Sequence, residues 1–160
     1  MGAIGACGLD EPGDLSPSIG VGFSWGFSPV FYPGIELILS EVNIEDTLPL
    51  SFGAAARGYL TVVRNYLGSG YGWTSYGIGA FGTAHLSFAE VDQDAGFLEN
   101  FDFYAMLGLA ASVFDYTGDS AFWDESDTFE FQFASVGGTS YFLSDSLALM
   151  AEGTYWGAAG

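Results

Sequence analysis

His85-Leu86-Ser87 sets an imidazole and a hydroxyl two residues apart, which puts both on one face if the segment is a strand. Glu99 follows in the next loop. A nucleophile, a base and an acid to orient the base are the parts of covalent hydrolysis. A histidine in the wall of a barrel is more often a polar group with its hydrogen bonds satisfied, and these three residues alone assign no catalytic role. A second group is Glu36, Arg57, Glu130 and Glu152, isolated charges on strand faces otherwise made of Gly, Ser, Ala and Thr. If they share an interior they must pair, because an unpaired buried charge costs several kcal/mol. Such a cluster fills space and fixes register; a selective ion path is the other use of the same groups. A third group is Asp92, Asp94, Asp124 and Asp127, hard oxygen donors in acidic loops and candidates for Ca2+. Neither pair has the EF-hand spacing, and solvated loop charge explains them as well. Phosphate loops, Cys/His metal clusters and nucleotide fingerprints are missing from the sequence, so no other cofactor is expected.

The His85-x-Ser87 pair with Glu99 resembles the arrangement in outer-membrane lipid A deacylases. That resemblance would make Ser87 the nucleophile, His85 the base and Glu99 its orienter. It spans three residues and lies mid-chain, whereas that family carries it near the end.

The elements that must hold these groups are strands. Of 160 residues, 49% are hydrophobic, 18% are aromatic and 24 are glycine. Charged residues make up 14%, against about 25% in an ordinary soluble domain. They comprise 20 acids and two arginines, for a net charge of −18, with a mean hydropathy of +0.31. The aromatic content argues against disorder, and the lack of a basic patch argues against nucleic acid. Apolar runs fall short of the ~18 residues of a membrane helix. Met1 to Cys7 lacks the basic start of a secretory signal. Ile4-Gly5-Ala6-Cys7 resembles a bacterial lipoprotein cleavage box, which would make Cys7 a candidate for lipidation.

Alternation with a period of two predicts seven strands: 18–28, 34–42, 50–63, 73–88, 102–114, 128–142 and 146–156. The first shows the pattern most plainly. Ile19, Val21, Phe23, Trp25 and Phe27 alternate with Gly20, Gly22, Ser24 and Gly26. Turn residues and most of the acid lie between strands. Residues 1–16 read as a flexible leader and 17–160 as a single β-barrel domain.

One face of every strand is large and apolar, and the other is small with a few charges. A soluble sheet would carry a solvated polar face instead. A narrow barrel in lipid explains the pattern: small residues crowd the interior and an apolar band meets hydrocarbon. An open edge would leave unpaired backbone groups in the bilayer, so the sheet must close. Phe81, Tyr59 and Met150 are expected to help fill the interior.

Val136 to Tyr155 resembles the end of small bacterial outer-membrane barrels of the outer-membrane-protein-A and opacity-porin type. The matching positions are Tyr141, Phe142, Ser144, Asp145, Leu147, Leu149, Glu152 and Tyr155. The resemblance implies an antiparallel up-and-down barrel of eight strands. The odd count of seven departs from it, as does the end of the chain, Trp156-Gly-Ala-Ala-Gly160.

The expectation is therefore a non-enzymatic barrel of the bacterial outer membrane with a largely plugged lumen. Its role would be structural, adhesive or envelope-organising. Its partners would be outer-membrane lipid, with envelope proteins or further copies of itself as other candidates, and no nucleic acid. One alternative is a secreted β-rich subunit that polymerises into a filament or sheath. A second is a lipid A-modifying enzyme.

Overall fold

A computed structural model describes residues 2–5, 12–23, 28–44, 48–64, 70, 72–87, 100–117, 128–144 and 147–155. The described residues form an all-β chain. Seven strands of nine to seventeen residues run antiparallel, each pairing with the next. They are β2 (Leu15–Phe23), β3 (Pro29–Ile44), β4 (Leu48–Val63), β5 (Gly72–Ser87), β6 (Phe101–Thr117), β7 (Thr128–Ser144) and β8 (Leu147–Tyr155). A four-residue strand, β1 (Gly2–Gly5), pairs with β2 on one side and β8 on the other, which closes the strand order.

All seven strands read from the alternation are present, with ends moved by a few residues. The reading of 1–16 as a leader is corrected in two places. Gly2–Gly5 joins the sheet, and β2 begins at Leu15. Backbone pairing needs no particular side chain, so a Gly-Ala-Ile-Gly segment pairs without displaying alternation. Pro12 and Pro17 made the approach to β2 look like a loop. Gly13, at φ 106°, turns the chain, and its N–H donates to Ile38 O at 2.8 Å.

Alternation translates into two faces. In β2 the burial switches at every residue, with Ser16, Ser18, Gly20 and Gly22 inside and Leu15, Ile19, Val21 and Phe23 outside. Trp25 and Phe27 lie outside the described residues. Two ladders carry irregularities. The β3–β4 register shifts between Ile38 and Ser40, and the β7–β8 register between Phe142 and Ser144. The β3–β4 register also skips Tyr32 and Pro33, where proline has no N–H to give.

The interior is packed. Val30, Ala55, Tyr59, Phe81, Tyr104, Met106, Ala110, Ala134 and Val136 are buried in one cluster, with Tyr32 and Met150 against it. Interior glycines make room for the largest of these. A Cβ on Gly77 would lie 2.5 Å from the Tyr59 ring, and one on Gly138 would lie 2.6 Å from Tyr104 Oη.

Candidate functional site

The interior charges assemble around Arg57. It sits mid-way along β4 and is 6% exposed. The ladder sets Gly34 on one side of it and Gly79 on the other. A Cβ at Gly34 would stand 2.5 Å from Arg57 Cδ, so the guanidinium reaches the lumen over a glycine. Its Nη1 donates to Ser18 Oγ on β2. Its Nη2 lies 3.3 Å from Glu152 Oε1 on β8 and 3.9 Å from Glu36 Oε2 on β3.

Glu36 links this pair to a second centre. Its Oε1 lies 2.8 Å from His85 Nε2, and His85 Nδ1 lies 2.8 Å from Asp102 Oδ2 on β6. Carboxylates only accept, so an imidazole held between two of them donates from both nitrogens and carries the positive charge. Tyr104 closes the circuit. Its hydroxyl donates to Glu152 Oε1 at 2.8 Å, and its ring stacks on His85 with centroids 5.4 Å apart. The network therefore ties together six strands: β2, β3, β4, β5, β6 and β8. It holds three carboxylates (Glu36, Asp102, Glu152) against two cations (Arg57, His85), a formal surplus of one negative charge. Further along the interior, the Tyr59 and Ser75 hydroxyls are 3.0 Å apart, and Thr61 donates to Pro29 O at 2.6 Å.

Of the four charges expected to cluster, Glu36, Arg57 and Glu152 do so. Glu130 does not: it is exposed, at the third residue of β7. Alternation gives a residue's face and not its height. The β7–β8 ladder sets Glu152 opposite Gly138, eight residues along β7 from Glu130, so the two glutamates stand at different heights in the lumen. Two further members join the cluster. His85 is the satisfied polar group of the barrel wall that the sequence offers beside the catalytic reading, and Asp102 is the residue that opens a strand. The parity of Asp102 with Tyr104, Met106 and Ala110 was the available signal.

Among the described residues, His85 is not paired with Ser87. Both His85 nitrogens are engaged by carboxylates, which leaves none to take a proton from Ser87, while Glu99 lies outside the described residues. The Ca2+ candidates Asp92, Asp94, Asp124 and Asp127 also lie outside them. Among the described residues, no group of three His, Cys, Asp or Glu is arranged to hold a metal ion. Comparison with protein-family models, with curated proteins and with solved structures found no match.

Proposed function

We propose that the chain is an eight-stranded transmembrane barrel of a bacterial outer membrane, similar in kind to outer-membrane-protein-A and opacity-porin barrels. Its role is structural, adhesive or envelope-organising, and its lumen is closed to bulk solute. One observation carries this reading: the fold is inverted relative to a soluble protein. Arg57, Glu36, His85 and Asp102 are each no more than 6% exposed, whereas Ile78, Leu107, Phe131 and Phe133 are 66%, 72%, 66% and 81% exposed. A soluble monomer seldom leaves so much contiguous apolar surface in water. Lipid as the outer solvent reconciles both facts.

An aromatic cluster on the outward face at one end of β6 adds support. Phe101 and Phe103 stack at 6.1 Å, and Phe101 meets Tyr141 at 4.9 Å. The outward residues of β6 from Phe103 to Val113 rise roughly 33 Å, which a tilt of about 40° reduces to about 25 Å. That span matches the outward apolar band of a membrane barrel, ~25 Å.

The test is gel migration of the detergent-extracted protein before and after boiling, with far-ultraviolet circular dichroism. A β-rich form that migrates faster until boiled is expected. A β-rich protein that pellets as fibres without detergent would replace this reading with a secreted, polymerising subunit. Ser87→Ala is expected to leave lipid A acylation unchanged; an altered profile would bring the enzyme reading back.

A further inference from the structure

We propose that His85 is a proton-operated clasp that holds the β5–β6 end of the barrel wall shut, with Asp102 as the carboxylate it releases. The inference rests on the closed-barrel reading above. His85 stands on β5 and grips Glu36 on β3 through one nitrogen and Asp102 on β6 through the other, each at 2.8 Å. Both bonds require a proton on the imidazole nitrogen concerned. A neutral ring keeps one proton only, so one of the two carboxylates must then face a lone pair.

The two carboxylates are not equally placed to bear that change. Glu36 keeps Arg57 Nη2, 3.9 Å from its second oxygen. Asp102 has no comparable reserve. Its Oδ2 is held by His85, and its Oδ1 is buried without a hydrogen-bond partner among the described residues. Asp102 is 4% exposed, so water does not supply the difference while the wall stays closed. It is also the second residue of β6 and pairs in register with Ser87, the last residue of β5. Its release therefore acts at the mouth of the barrel.

The other groups around His85 do not substitute for its proton. From β4, Arg57 is committed to Glu36, Glu152 and Ser18. From β6, the Tyr104 hydroxyl donates to Glu152 of β8. Tyr59 of β4 meets Ser75. When His85 loses its proton, three carboxylates face Arg57 alone, and the formal surplus goes from one negative charge to two. The folded, protonated form is stabilised by both carboxylates. That contribution is present at low pH while they stay ionised, and it is lost as pH rises through the titration of His85.

The experiment follows the temperature at which the fast-migrating folded form in detergent converts to the slow form, across a pH series. Wild type, His85→Gln and Asp102→Asn are compared. The wild type is expected to show a downward step in that temperature as pH rises. Both variants are expected to lose the step. Asp102→Asn keeps the side chain's size, so it serves even if His85→Gln fails to fold. The interior tyrosines remain in both variants, so a step caused by phenol titration would survive. A wild type without the step, or a step kept in either folded variant, overturns the clasp. A protein with no fast-migrating form at any pH overturns the barrel reading instead.

Discussion

Arg57 on β4 and Glu152 on β8 meet at 3.3 Å although their strands are four places apart in an order of eight. The contact crosses the lumen from wall to wall. It fixes the distance between two strands that share no ladder, as backbone hydrogen bonds cannot. Ser18 and Glu36 approach the same guanidinium from two further strands.

Arg57→Leu is therefore expected to be among the most damaging single changes. It leaves Glu152 buried without a cation and Glu36 with His85 alone. Losing one partner of a buried pair costs about 3–5 kcal/mol. Denaturant unfolding of the protein in detergent or lipid measures it. Combining Arg57→Leu with Glu152→Gln should recover much of the loss, because Glu152 is the carboxylate left without a cation while Glu36 keeps His85.

Tyr104→Phe removes the hydroxyl that donates to Glu152 and keeps the ring against His85. A hydrogen bond to a charged group is worth about 1.5–3 kcal/mol. The variant should lose roughly that much by the same unfolding measurement, with an unchanged β-sheet circular dichroism spectrum.

Gly137 and Gly138 are neighbours on β7 and should respond oppositely to alanine. A Cβ on Gly138 meets Tyr104 Oη at 2.6 Å and the Ala151 carbonyl oxygen at 2.8 Å, whereas one on Gly137 meets nothing within 4 Å. Gly138→Ala is expected to cost about 1–3 kcal/mol through overpacking. Gly137→Ala is expected to be neutral, or stabilising by about 0.4–1 kcal/mol because the unfolded chain has fewer states. Paired unfolding curves decide the sign at each site.

Phe133 is 81% exposed on the outer wall of β7, opposite Leu109 at the middle of β6. If that wall meets hydrocarbon, Phe133→Arg should destabilise the protein in a bilayer by about 2–4 kcal/mol. Refolding into vesicles against denaturant tests this. A neutral effect would mean that the wall faces something other than lipid.

The two faces could be read before any coordinates because side chains in a strand alternate without exception until a bulge intervenes. Ile19, Val21 and Phe23 are assigned outward by counting, and so is Arg57 inward. Height along the barrel axis has no such counter. Glu130 and Glu152 have the same parity relationship to the lumen, and only the accumulated register separates them. Asp102 is hidden differently: it opens its strand beside acid-rich loops, and alternation does not mark a single acid at a strand end as part of an interior cluster. The short β1 carries no alternation long enough to recognise, since its pairing depends on backbone alone.

The interior glycines also bear on how the strands find their partners. Sliding one strand by two residues preserves inside and outside, so a pattern of apolar and small residues cannot detect the error. Shape can. Gly34 lies opposite Arg57, where a Cβ would already crowd the side chain at 2.5 Å. A slip of two would bring Arg57 against Tyr32 or Glu36 in place of that glycine. The empty positions on the inner face thus act as a spatial checksum. They reject misaligned hairpins that the lipid outside, which senses only hydrophobicity, would accept.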